Sequence, residues 1–128
     1  VVSDATSSNA SWQRAMATAT DAARDRIWVA LGQRGVADYD GRRVTAAATT
    51  LEDLDDIVVW LLDGDGNGLS LRRFGDSDDQ DAFDIAVTAD GDLVVAASVE
   101  GSVDFGNGPF ATQPFDPGDM CVTRLSSP

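Results

Sequence analysis

The stretch "RGVADYDG" at residues 34–41 returns as "EGSVDFGN" at 100–107, with Gly35 over Gly101, Asp38 over Asp104 and Tyr39 over Phe105, a spacing of 101 − 35 = 66. A second match follows it. "DDIVVWLL" (55–62) lies over "GDMCVTRL" (118–125) at 119 − 56 = 63, so a loop between the two matched segments differs by three residues. Upstream, "SWQRA" (11–15) sets over "LSLRR" (69–73) at 72 − 14 = 58, and on that alignment the first copy lacks most of the segment equivalent to "FDIAVTADGD". Self-similarity at a fixed period marks repeat architectures, whose units are stable only when stacked on their neighbours. The chain reads as a flexible N-terminal segment (1–10), a degenerate first repeat (11–68) and a second repeat (69–128), together one structural unit.

The elements of each repeat are short and β-like. "RIWVAL" (26–31), "RRVTAAA" (42–48), "DIVVWLL" (56–62), "LSLRRF" (69–74), "FDIAVTA" (83–89), "DLVVAAS" (92–98) and "MCVTRL" (120–125) alternate or are β-branched, with glycine and aspartate turns between them. Asp90-Gly91 between two such runs predicts a hairpin over 83–99 with a type I′ turn. One stretch has helical colouring: "AMATATDAARDR" is alanine-rich and free of Gly and Pro, which leaves a short helix between Ala15 and Arg24 as an alternative. The expected class is all-β, with antiparallel four-stranded blade-like sheets forming either a partial β-propeller or a compact two-sheet structure.

Composition excludes more chemistry than it suggests. At 128 residues a core can form without metals or disulfides. Net charge is −13, all nine basic residues are arginine, and histidine is absent. A field of that sign repels phosphate backbones and anionic lipid, which argues against nucleic-acid and membrane-surface roles. Without histidine, Ser-His-Asp and Cys-His catalysis and imidazole zinc sites cannot form within the chain. The lone Cys121, in the alternating run "DMCVTRL", reads as a buried inert thiol. No apolar run approaches the roughly 18 residues of a membrane span, so no membrane insertion is expected. "VVSDATSSNASW" has neither the basic start nor the apolar core of a secretory signal.

The second copy, "DIVVWLLDGDGNGLSLRRFGDSDDQDAFDIAVTADGDLVVAASVEGSVDFGNGPF" from Asp56 to Phe110, closely resembles the bacterial β-propeller repeat family often called SBBP. "RRFG", "IAV", the Asp-Gly turn before "LVV" and "GSVDFGNG" fall in the family's order, while Ala97 stands where the family usually has glycine and Ser70 where it usually has tryptophan. The resemblance implies a non-enzymatic β-propeller-type repeat module of a secreted or cell-surface bacterial protein, a scaffold for protein or glycan contact. Its expected partners are further propeller repeats or other copies of the chain. Two edges of an incomplete propeller stay bare, so "SWQRA" is expected to complete the blade that ends near Leu125, or to pair with a neighbour. The alternatives are a carboxylate-based glycan-processing enzyme or its accessory domain, and a calcium-dependent adhesion module.

Two acidic segments carry the site candidates. In "LLDGDGNGLSLRRF" (61–74), Asp63, Asp65 and Asn67 stand at positions 1, 3 and 5 with Gly68 at 6, the first half of a calcium loop in which alternate side chains turn inward to a hard cation. An EF-hand closes with a bidentate Glu at position 12, here Phe74, and the calcium hairpins of integrin-type blades close with an acid at position 9, here Leu71. The segment therefore reads first as a hairpin turn, with no cofactor, and second as a weak Ca2+ site. "GDSDDQDAFD" (75–84) brings together Asp76, Asp78, Asp79, Asp81 and Asp84, a solvated loop or a surface for a cation or basic partner. Pairs such as Asp55-Asp56 and Asp78-Asp79 supply the carboxylates a glycosidase would need. Trp12, Trp28 and Trp60 are either a sugar-stacking face or core, and Arg72-Arg73 are internal ion-pair partners.

Overall fold

The computed structural model describes residues 2–4, 11–47, 54–113 and 118–128, residues 2–4 by their backbone. The described residues are strands and turns with no helix: β1 (Val2–Asp4), β2 (Trp12–Asp21), β3 (Arg26–Arg34), β4 (Val36–Tyr39), β5 (Arg42–Thr45), β6 (Asp56–Asp63), β7 (Gly68–Phe74), β8 (Gln80–Val87), β9 (Leu93–Val99), β10 (Ser102–Asp104), β11 (Pro109–Ala111) and β12 (Asp119–Leu125). Two antiparallel sheets dominate, one ordered β2-β3-β6-β7 and the other β12-β9-β8. Small sheets β1-β4-β5 and β10-β11 accompany them. The all-β expectation holds, and the sheets form a compact β structure without a closed barrel. The second main sheet has three described strands rather than four. Within the N-terminal segment expected to be flexible, Val2–Asp4 pair with Ala37–Tyr39, and residues 1 and 5–10 lie outside the described residues.

The strand pairings in the two halves of the chain correspond in register, at an alignment that differs from the one read from the sequence. β4 pairs with β5 from Val36↔Thr45, and β10 with β11 from Ser102↔Ala111, both ends shifted by 66. The N–H of Ala46 donates to the Gly35 carbonyl at 2.8 Å, as Thr112 N–H does to Gly101 at 2.9 Å. β6 pairs with β3 through Ile27↔Leu62, and β12 with β9 through Leu93↔Leu125. The β2–β3 hairpin carries a bulge between Ala15 and Ala17, and the β8–β9 hairpin carries one between Ala82 and Asp84, at 82 − 15 = 67. β2 is therefore the counterpart of β8, not of "LSLRR", and the first copy has lost no strand of this hairpin. β7 has no counterpart in the second sheet among the described residues.

Two further expectations are corrected by the same pairing. β2 runs antiparallel to β3 along its length instead of completing the blade at Leu125. The stretch that favours helix by composition is a strand because its alanines alternate: Ala17 and Ala19 pack on the inter-sheet core while Thr18 and Thr20 face out, and tertiary burial overrides a weak propensity. The hairpin over 83–99 forms, but its turn is not type I′. Gly91 N–H bonds the Thr88 carbonyl at 2.9 Å and Thr88 N–H bonds Asp92 at 2.8 Å, with positive φ at Gly91 alone, the longer hairpin loop in which one residue takes the left-handed conformation.

A single core joins the main sheets. The front of the first sheet (Trp28, Ala30, Ile57, Val59, Leu61) packs on the inner face of the second (Ile85, Leu93, Val95, Ala97, Leu125). A smaller cluster of Leu31, Val58 and Trp60 lies on the back of the first sheet under Ala37 and Tyr39. There the Tyr39 hydroxyl donates to Gln33 Oε1 at 2.9 Å, and Gln33 Nε2 donates to the carbonyls of Gly35 (3.2 Å) and Val44 (2.9 Å). Burial pushes the Tyr39 phenol far above its ordinary pKa, so it stays a donor. At the shift of 66 the corresponding residues are Phe105 and Val99, so the positions of the polar pair are apolar in the other copy. Tyr39→Phe alone should cost about 1–3 kcal/mol, because it strands a buried acceptor, and it should cost less in a Gln33→Val background, where that acceptor is gone. A urea-unfolding double-mutant cycle with purely additive costs would contradict this account.

Candidate functional site

The loop after β6 is built as a capped hairpin. Asp63 N–H bonds the Asn67 carbonyl at 2.9 Å and Gly66 N–H bonds the Asp63 carbonyl at 3.0 Å, with Gly66 at φ 89°. This is the bond pattern of Thr88–Asp92, so the two loops are the same turn. The Asp63 carboxylate accepts from its own loop: Oδ1 from the N–H groups of Asp65 (3.1 Å) and Asn67 (2.8 Å), and Oδ2 from Asn67 Nδ2 at 2.9 Å. The Asn67 amide, followed by the backbone donors, holds this carboxyl below the usual range. Asn67 thus presents a donor where a cation needs an oxygen. In this arrangement Asn67 Nδ2 faces the Asp63 carboxylate, and among the described residues no three of Asp, Glu, Cys and His converge as a metal site.

The second acidic segment is drawn into the fold at most of its positions. Asp76 caps three donors, the N–H groups of Asp78 (2.9 Å) and Ser102 (2.7 Å) and Nε2 of the buried Gln80 (2.8 Å). Asp79 Oδ1 accepts the Asp55 N–H at 2.8 Å. Asp81 faces the Arg14 guanidinium at 3.7 Å. Asp78 and Asp84 are exposed. The four candidates therefore do not form one open anionic surface. Asp76, Asp79 and Asp81 tie the start of β8 to the crossover before β10 and to the end of the first sheet.

Around Asp55 a small charged network closes the seam between the sheets. Arg34 donates Nε (3.1 Å) and Nη2 (3.0 Å) to Asp55 Oδ1. The rings and charges stack: Trp12 lies under both Arg14 and Arg34, at 5.2 and 5.0 Å from its centroid. Burial raises the Asp55 carboxyl, the Arg34 hydrogen bond and charge oppose that, and Asp79 and Asp81 add to it. Asp81 is likewise raised by burial and then by Asp79, against the pull of Arg14. Asp56 points to the opposite face, where Arg73 and the Ala47 N–H bind Oδ2. Asp55 and Asp56 are thus neighbours in sequence with separate arginine partners.

The remaining candidates resolve into structure. Trp28 and Trp60 are buried on opposite faces of the first sheet and Trp12 stacks with Arg14 and Arg34, so the three do not make a common stacking face. Arg73 pairs with Asp56 as the sequence suggests, whereas Arg72 lies over the Trp28 ring at 5.9 Å and donates to the Ser126 carbonyl at 3.1 Å. Cys121 is half-buried and burial raises its thiol pKa, which suits an inert side chain. What the sequence reading missed is apolar and exposed: Phe83, Met120 and Val122 on the outer face of the second sheet. The spacing of 63 held the signal, since it sets Met120 and Val122 on Ile57 and Val59. No family model, curated protein or solved structure matches the chain.

Proposed function

We propose that the chain is a non-enzymatic β-repeat module of β-propeller type, from a secreted or surface bacterial protein, that acts as a scaffold for protein or glycan contact. The observation that supports this most is where its carboxylates go. Asp55, Asp56, Asp63, Asp76 and Asp79 each accept hydrogen bonds from the chain's own backbone or side chains, which leaves them fixing turns and seams rather than facing a substrate. The acidic surface favours basic or cationic partners over nucleic acid.

One observation favours the glycan-processing alternative: Asp81, with its raised carboxyl, lies partly exposed beside Arg14 and Asp79. A raised carboxylate at a seam is also what a structural ion network produces. Reducing-end release from a panel of bacterial polysaccharides separates the readings, with affinity electrophoresis on the same panel reporting binding. The scaffold reading expects no release above background. Turnover that disappears in Asp81→Asn would overturn it.

Calcium has its own test. Asp63→Ala is expected to lower the melting temperature equally with and without millimolar calcium, because the carboxylate caps a turn. A calcium-dependent rise in the parent protein that is lost in both Asp63→Ala and Asp65→Ala would establish the adhesion-module reading instead.

A further inference from the structure

The second sheet lacks a strand that the first sheet has, on an edge whose chemistry is already laid out. Gln33 pairs with Asp56 and Val99 with Asp119, so β12 is the counterpart of β6 at 119 − 56 = 63, and β9 that of β3 at 99 − 33 = 66. β6 is covered on its far edge by β7, from Ile57↔Phe74 to Leu62↔Gly68. Among the described residues nothing pairs with the far edge of β12. Such an edge presents a row of unpaired N–H and C=O groups to an incoming strand.

Three side chains beside that edge lack the partners that β7 gives their counterparts. Asp56 is fully buried and accepts from Arg73 of β7, whereas Asp119 is exposed and has no hydrogen-bond or ion-pair partner among the described residues. Ile57 is 0% exposed in the core that Phe74 of β7 joins, whereas Met120, at the shift of 63, is 77% exposed. Val44 of β5 packs with Leu71 of β7 on the cluster around Trp60, whereas its counterpart on β11, Phe110 at 110 − 44 = 66, is 36% exposed. A carboxylate, a thioether and a ring thus stand open where β7 would bring an arginine, an aromatic ring and a leucine.

We propose that the free edge of β12 takes up an extended, arginine-bearing strand of another protein by antiparallel β-augmentation. The β6–β7 register sets what that strand carries. A leucine-like residue opposite Thr123 covers Phe110, an arginine opposite Cys121 reaches Asp119 on the same face, and an aromatic residue opposite Met120 packs on its thioether. The order along the strand is that of Leu71, Arg73 and Phe74. A second copy does not serve, because its β7 is held by its own β6. The net charge of −13 favours a basic strand over an acidic one. This partner rests on the scaffold reading and narrows protein contact to one edge and one strand chemistry.

The probe is a fluorescein-labelled synthetic peptide of residues 67–75, NGLSLRRFG, titrated with the whole chain by fluorescence anisotropy. Saturable binding is expected, weaker in about 0.5 M NaCl than in low salt. Arg73→Glu in the peptide should weaken binding about tenfold, the loss of one charge-assisted hydrogen bond. Asp119→Arg in the protein should weaken the parent peptide to a similar extent and restore binding of the glutamate peptide. Asp119 is exposed, so circular dichroism should show the fold unchanged. Amide hydrogen exchange read by NMR should slow at alternate residues of 119–125 when the peptide is added, since every other N–H faces the free edge. No saturable binding, binding that Asp119→Arg leaves unchanged, or binding without slower exchange in β12 overturns the proposal. Each of these leaves the scaffold function standing, which falls instead to polysaccharide turnover lost in Asp81→Asn.

Discussion

Trp28→Ala should remove about 3–5 kcal/mol of stability, the cost of emptying a large aromatic site in a packed core. Trp28 is 1% exposed and lies where the first sheet meets the second, among Ala30, Ile57, Val59 and Leu93. Its neighbours are fixed in strands and cannot collapse into the void without breaking ladder bonds. A domain of this size has only about 5–15 kcal/mol in total, so the variant should be largely unfolded by urea concentrations that leave the parent intact. Trp28→Phe makes the informative control. The indole Nε1 is buried without a hydrogen-bond partner, so phenylalanine gives up volume but also removes an unsatisfied donor, and its cost should stay well below that of alanine. Far-UV circular dichroism in urea measures both. If Trp28→Ala lost less than about 1 kcal/mol, the inter-sheet core would not be what makes the two repeats one unit.

How much of this was legible in the sequence depends on which interaction did the deciding. The longer strands and the correspondence of 34–41 with 100–107 were readable because alternation and turn residues are local, and Gly35 and Gly101, at φ 69° and 71°, hold the same left-handed corner. The counterpart of β2 was not. "SWQRA" and "LSLRR" share an arginine, but pairing is decided by register, and the bulge at Ala15 and Ala17 that identifies β2 with β8 leaves no mark in composition. The acidic segments were seen at once as charge, yet their use was hidden. Asp76 caps Ser102, and Asp79 caps Asp55, across 26 and 24 residues of sequence. The turn at Asp63 was readable because all its donors lie within four residues.

Asp56→Ala should cost about 3 kcal/mol, and Asp56→Asn much less. The Asp56 side chain is fully buried, and Oδ2 holds both the Ala47 N–H and the Arg73 guanidinium. Alanine strands both and leaves a void. Breaking a buried pair typically costs about 3–5 kcal/mol, and Arg73, itself about a third exposed, finds some water, which places this variant at the lower end. Asparagine keeps an acceptor in place. It also removes a charge that the site tolerates poorly, because burial raises the Asp56 carboxyl against the opposing pull of Arg73 and Ala47. A carboxyl whose folded pKa lies above its unfolded value contributes stability below the unfolded pKa and loses it as pH rises through the folded one. Asp56, with Asp55 and Asp81 shifted the same way, should therefore make the parent more stable in mild acid than at neutral pH. Further acidification reverses the gain, since Asp63 and Asp92 are lowered and lose their hydrogen-bonded charge below the ordinary carboxylate range. Asp56→Asn should flatten the slope between neutral and mildly acidic pH and leave the acid limb intact. An unchanged slope in Asp56→Asn would mean that the buried carboxylate is stabilised by Arg73 more than burial penalises it, and that the seam at β7 is held by charge rather than by packing.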